Sequence, residues 1–241
     1  MIGVIGFGRF GKLMTEHLAR DFEVLVYDVG DKSAAIHQTG ARAASLAEVC
    51  RQDIVILPVP ISHLKDLLQT ISPLLKKEAL VVDVCSVKEY PVRWMTALLP
   101  DSVSILATHP MFGPDSAAES LDGSKIVLCK ERIHPELYRK IKSYLASKGL
   151  IVIEATPREH DRQIAVSLAL THFIGRALST FGATALEMDT EGYKRLLHIL
   201  EVVENDTWQL FVDMHRYNPY ARDQRKVFMD AVRKIDASLD G

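Results

Sequence analysis

An alternation of short apolar runs with helical spacing fills the first 155 residues and narrows the fold more than any other feature. Runs bounded by turn residues recur at 2–5, 23–27, 54–57, 80–84, 104–107, 126–128 and 151–153. Between several of them lie helix-spaced stretches at 11–20, 61–68, 87–99 and 135–148. Such alternation implies parallel strands joined by right-handed crossovers, and therefore a sheet covered on both faces. The texture changes after Ala155. Helical patterns over 158–186, 191–203, 206–216 and 220–239 replace the strands, with Gly182, Gly192 and Pro219 near the breaks. The expected architecture is an α/β domain at 1–155 followed by an all-helical domain at 156–241. A helical segment of that size is small to stand alone. Its apolar faces (Leu168, Phe173 and Leu178; Leu196, Ile199 and Val203) suggest packing on a second copy, so a homodimer is expected.

Charge and cysteine usage exclude several function classes. A formal net charge of -2 gives no footprint for a nucleic acid, although one or two local cations could still hold a small anionic substrate. Cys50, Cys85 and Cys129 form no CxxC pair, so neither a disulfide framework nor a zinc site is indicated, and no other metal-ligand cluster stands out. No run of 18 apolar residues suggests a membrane span. The apolar N-terminus is interrupted by Arg9 and Lys12 with no cleavage site after it, so a cytoplasmic protein without a signal peptide is expected.

The chain opens MIGVIGFGRFGK, in which Gly6, Gly8 and Gly11 form a GxGxxG between an apolar strand and a helix. That context makes the motif a dinucleotide fingerprint and the first domain Rossmann-type. Gly6 permits the tight turn, Gly8 lets backbone approach a pyrophosphate, and Gly11 lets the helix pack on the strand, while the helix amides face the phosphates. Phe7, Arg9 and Phe10 lie within the same loop. Asp28, at the end of the second strand, would accept hydrogen bonds from the adenosine ribose hydroxyls and repel a 2′-phosphate, which favours NAD. Asp28 could also simply start a turn, and Lys32 close by leaves NADP possible. Pro58 and Pro60 end pairing of the 54–57 strand where a loop would lie over the dinucleotide.

Two further strand ends concentrate polar residues, DVCSVK at 83–88 and THPMFGP at 108–114. In open α/β sheets ligands bind beyond the carboxyl ends of strands. His109, just after a strand and followed by Pro110, is placed to take a hydroxyl proton during hydride removal, and its ordinary pKa of about 6.5 suits a base at neutral pH.

These segments, with GFGRFG at 6–11 and EHDRQIAVSLALTHFIGRAL at 159–178, resemble the prephenate and arogenate dehydrogenases of tyrosine biosynthesis nearly end to end. HPMFGP is the most specific piece. The resemblance implies that His109 hydrogen-bonds the ring hydroxyl and accepts its proton, that Ser86 supports both, and that His172 faces the substrate from the helical domain. Ser86 could instead cap a helix, His172 could be a satisfied core histidine, and His160 could cap its own helix. The implied chemistry is hydride loss from a cyclohexadienol to the nicotinamide, departure of carbon dioxide and aromatisation, with orientation and a base as the protein's share.

The segment 192–221 is closer to the plant-type arogenate enzymes. In that subgroup an acidic residue in the matching turn reads the substrate amine, which here implies Asp206, although Asn205-Asp206 also looks like a helix N-cap. Bacterial prephenate enzymes place an arginine for the side-chain carboxylate where this chain has His198; Arg195 one turn earlier, or a partner subunit, would have to serve. Plant enzymes tend to prefer NADP, which Asp28 does not favour. The runner-up is a prephenate dehydrogenase. More distant readings are a β-hydroxyacid or imine reductase and a non-catalytic nucleotide-sensing protein.

Overall fold

The computed structural model describes residues 1–115, 117 and 120–239. It divides the chain into two compact units, Met1–Pro157 and Arg158–Gly241.

In unit 1 the elements run β1 (Ile2–Ile5), α1 (Arg9–Leu18), β2 (Val24–Tyr27), α2 (Ser33–Gln38), β3 (Arg42–Ala43), α3 (Leu46–Cys50), β4 (Ile54–Leu57), α4 (Ile61–Ile71) and β5 (Leu80–Asp83). They continue as α5 (Glu89–Leu98), β6 (Ser104–Pro110), β7 (Lys125–Arg132), α6 (Pro135–Ser147) and β8 (Ile151–Glu154). The strands form one sheet in the order β3-β2-β1-β4-β5-β6-β7-β8. The order reverses between β1 and β4, which places a crevice at their carboxyl ends, where ligands bind in this fold. The central strands are buried on both faces, as in Val4, Val55, Leu57, Val81 and Ile105, which explains their continuous apolar runs.

One expectation is corrected. The sheet is not parallel throughout, because β6 and β7 pair antiparallel, with His109 opposite Val127 and Pro110 opposite Ile126. No helix lies between them among the described residues, so the chain returns at the end where it left, without a crossover. β6 also runs to Pro110, so His109 lies inside the strand rather than after it.

Unit 2 contains α7 (Pro157–Ile164), a π-helical stretch (Ala165–Leu170), α8 (Thr171–Phe181), α9 (Glu191–Glu204), α10 (Trp208–Tyr217) and α11 (Ala221–Leu239). The first three form one continuous rod, stopped at Gly182 in the left-handed conformation (φ 82°) rather than at Leu186. By length and composition this rod could cross a membrane, a test that the core helix of a globular unit also passes. Charged Glu159, Asp161 and Arg162 sit in its first turns and Arg176 near its end. At Gly175 a Cβ would come within 2.5 Å of Val203, so the glycine lets α8 and α9 approach closely.

Candidate active site

The loop between β1 and α1 is built for close approach. Gly6 has φ +112°, and a Cβ there would lie 2.5 Å from the Pro58 carbonyl oxygen. At Gly11 a Cβ would lie 2.3 Å from the Gly6 carbonyl oxygen and 3.3 Å from the Pro58 ring. Pro58 thus buttresses the glycine turn. Gly8 is the N-cap of α1 with no side chain over the helix end, and no acidic residue sits in the first turn. A Cβ at Gly8 would meet nothing within 4 Å, so that side of the helix terminus is open. An open helix N-terminus carries partial positive charge and suits a pyrophosphate. Arg9 extends outward to Asp115 at 2.6 Å, both exposed, and the Phe10 ring lies 6.1 Å from that of Phe112.

Phe7 is placed differently from its neighbours. Its ring is buried in the core, and its amide donates to Asp28 Oδ2 at 2.7 Å. Asp28 Oδ1 accepts from the Gly30 amide at 3.0 Å, and Lys32 Nζ bridges Asp28 Oδ2 (3.2 Å) and the Phe7 carbonyl (3.0 Å). Burial alone would raise the Asp28 pKa, but these amides and the Lys32 ammonium outweigh it and hold the carboxyl below its usual range. Asp28 is therefore both an acceptor at the end of β2 and a strut for the glycine loop. Lys32 offsets its charge.

At the next strand ends, β5 and β6 pair parallel with Asp83 opposite Ala107, which brings Ser86 and His109 to the same edge. A buried lattice ties the two ends together. Thr108 Oγ1 donates to the Asp83 carbonyl at 2.7 Å, and the Cys85 amide donates to Asp83 Oδ1 at 2.9 Å. Lys88 Nζ donates to both Asp83 Oδ1 and the Thr108 carbonyl, with Asp83 and Lys88 fully buried. Burial pushes the Asp83 pKa up against the pull of Lys88 and the Cys85 amide. Sequence reasoning did not single out this pair, although its residues bracket the DVCSVK motif. Ser86 does not cap a helix: α5 begins at Glu89 with Lys88 at the cap position, and Ser86 Oγ is buried with no hydrogen-bond partner. His109 is 6% exposed.

In unit 2 the π-helical stretch ends at Leu170, two residues before His172, a distortion often found at functional sites. His172 is 4% exposed and its Nδ1 has no partner, so it is not a satisfied core histidine. Its Nε2 lies 3.6 Å from Asp206 Oδ2. Burial lowers the His172 pKa; the Asp206 carboxylate opposes that shift and Arg176 reinforces it. Asp206 is not the cap of α10 either. Thr207 fills that role, its side chain accepting from the Leu210 amide at 3.2 Å. Arg195 stands exposed on α9. His160 does not cap a helix: it is buried inside α7, with Nδ1 2.8 Å from Asp161 Oδ1. The structure thus gathers the glycine loop, Asp28, Pro58, Ser86 and His109 in unit 1, and His172 with Asp206 in unit 2.

Residues 18–154 match the family described as prephenate dehydrogenase, nucleotide-binding domain, and residues 177–241 match one described as TYRAAT1-like, C-terminal domain. Arogenate dehydrogenase 2, chloroplastic, of Arabidopsis thaliana is 32% identical over 100% of this chain and 70% of its own length. Arogenate dehydrogenase 1, chloroplastic, of the same plant is also 32% identical over 100% of this chain, which spans only 39% of that relative. The fold is shared with a crystal structure of prephenate dehydrogenase from A. aeolicus in complex with hydroxyphenyl propionate and NAD+, at 21% identity and a TM-score of 0.74, covering 98% of this chain and 87% of that one. The chain belongs to the prephenate dehydrogenase family, NAD(P)-dependent dehydrogenases of aromatic amino acid biosynthesis.

Proposed function

We propose that the chain converts arogenate to tyrosine by oxidative decarboxylation, with NAD or NADP as cofactor. The observation that carries the choice of substrate is Asp206: relieved of capping by Thr207, it presents a half-buried carboxylate beside His172. A substrate ammonium would pair with that carboxylate, whereas the keto group of prephenate would leave it unpaired. The arogenate dehydrogenases among the relatives support the same choice, and the A. aeolicus prephenate dehydrogenase keeps prephenate as the second reading.

In this reading the backbone of Gly6, Phe7, Gly8, Arg9, Phe10 and Gly11, with Asp28 and Pro58, holds the dinucleotide. A bound nicotinamide dinucleotide supplies the hydride acceptor. His109 takes the proton of the ring hydroxyl as hydride leaves the carbon that bears it, and Ser86 Oγ orients that hydroxyl. Carbon dioxide departs from the opposite ring carbon, and the electrons of the broken bond complete the aromatic ring. In unit 2, His172 and Asp206 are the residues assigned to recognition in this proposal. Arg195, exposed on α9, is the cation that the sequence offers for the side-chain carboxylate.

The exposed apolar residues of unit 2, such as Phe181, Trp208, Val227 and Ile235, are covered by a second copy in this proposal, and a monomeric mass in sedimentation would remove it. The deciding assay is reduced-cofactor formation with arogenate or prephenate offered singly under NAD or NADP. Arogenate turnover should exceed prephenate turnover by about two decades, the discrimination that an unpaired carboxylate can supply once bound substrate covers it. Asp206→Asn should narrow that gap. Unchanged selectivity in the variant would return Asp206 to a structural role.

A further inference from the structure

Among the described residues of unit 2, three side-chain nitrogens are buried with no hydrogen-bond partner: His172 Nδ1, Arg176 Nε and His215 Nε2. They belong to one neighbourhood. His172 and Arg176 lie one turn apart on α8, and both Arg176 and His215 are within electrostatic reach of His172. The Arg176 guanidinium donates through Nη2 to the Asp206 carbonyl and lies over the Trp208 ring, 5.8 Å from its centroid. The His215 ring stands edge-on to Phe173 and Phe211, with centroids 6.2 Å and 4.7 Å away.

The protonation of His215 follows from its partner. Arg225 Nη1 lies 2.6 Å from His215 Nδ1. A guanidinium can only donate, so Nδ1 is the acceptor and the ring proton sits on Nε2. Burial, then Arg225 and His172, push the His215 pKa down to about 4, which keeps the ring neutral at pH 7. His215 Nε2–H and Arg176 Nε–H are therefore two buried donors without acceptors. Leaving such groups unmet is costly, and a guanidinium together with a second donor around the same histidine suits a carboxylate.

We propose that Arg176 and His215 bind the side-chain carboxylate of the substrate beside Asp206, so that unit 2 carries a receptor for a zwitterionic α-amino acid head group. The inference rests on the amine-reading role of Asp206 for its second half only. Its anion half stands on Arg176 and His215, and it replaces the exposed Arg195 with groups already desolvated around the recognition residue.

The test is calorimetric titration of the full-length protein, saturated with NAD, using three phenols: tyramine (ammonium only), 3-(4-hydroxyphenyl)propionate (carboxylate only) and tyrosine (both). Arg176→Met should weaken the propionate and tyrosine about tenfold or more and leave tyramine within about twofold, the loss of one charge-assisted hydrogen bond. His215→Phe should weaken the same two ligands by a smaller factor. Equal weakening of tyramine and the propionate by Arg176→Met would show that Arg176 merely holds the Asp206 turn, and would overturn the proposal. So would undiminished propionate binding in both variants. Should Arg176→Met fail to fold, His215→Phe decides with the same ligands. Asp206→Asn separates the two readings: if tyramine binding survives it while Arg176→Met still weakens the propionate, the amine reading falls and the anion subsite stands.

Discussion

The two units dispose of their polar and apolar groups in opposite ways. In unit 1 the sheet builds its own core from large aliphatic residues, and the buried charges find each other, as Lys88 does Asp83 and the Thr108 carbonyl. In unit 2 the buried apolar residues include the small Ala165, Ala169, Gly175, Ala183 and Ala221 beside Ile164, Val203 and Met214, while Phe181, Met188, Trp208 and Ile235 remain exposed. The orphaned nitrogens of His172, Arg176 and His215 also fall there. Among the described residues of unit 1, the buried side-chain atoms still lacking a partner, Asp83 Oδ2 and Ser86 Oγ, both lie at the β5 strand end. Unit 1 is close to complete as a fold. Unit 2 holds back groups for something outside itself, a ligand and a second copy in our reading.

Four experiments would break or sharpen that contrast. The largest effect is expected for His109→Asn, which should lower turnover by about two to four decades, the usual worth of a general base. Dinucleotide binding, read by calorimetry, should persist, because the glycine loop is untouched. Next is Lys88→Met, which strands a fully buried carboxylate and should lower unfolding free energy by about 3–5 kcal/mol in denaturant titration. The double variant with Asp83→Asn should recover most of that loss, and no recovery would mean that the pair is not the cause.

A smaller pair of effects compares two glycines. Gly11→Ala forces a methyl against backbone at 2.3 Å and should cost about 1–3 kcal/mol together with dinucleotide affinity. Gly175→Ala meets the Val203 side chain at 2.5 Å but backbone only at 3.2 Å, at the Ile199 carbonyl oxygen, so the thermal midpoint should fall less. A larger loss at Gly175 would mean that α8 and α9 are the more rigid junction. The smallest effect concerns pH. The folded-state pKa of His215, about 4, lies below its unfolded value of about 6.5. The unfolded chain therefore binds the extra proton between those values, and stability complete above pH 6.5 should decline as pH falls toward 4. His215→Gln should flatten that part of the profile.

Much of unit 1 was legible because its signals are local. The glycine loop sits between an apolar strand and a helix, and β4 and β5 are short aliphatic runs where continuous apolarity means burial on both faces, whereas the equally apolar β8 is an exposed edge strand. β3, two residues long, gives no periodicity to read. By contrast α3 carried a readable sign that was missed: Ser45 and Glu48 form a capping box. The reversal of β7 could have been inferred from the lack of helical spacing between Ala107 and Ile126. In the candidate site, its place at a strand end marked His109, whereas Ser86, His172 and Asp206 were marked by the family resemblance and not by residue type alone. The partnerships could not be read, because Lys88 with Thr108, Lys32 with Phe7 and Arg225 with His215 depend on the fold and not on spacing.

The antiparallel return from β6 to β7 has a consequence for how such a protein can diversify. A parallel connection must carry a crossover helix of suitable length, so its sequence is tethered to the packing of the layer above. A hairpin-type return carries no such obligation. The stretch after His109 can be lengthened, shortened or exchanged while Pro110 stays opposite Ile126 and the ladder keeps its register. Under the proposed function, it is the natural graft point for loops that would retune which molecules reach the His109 imidazole.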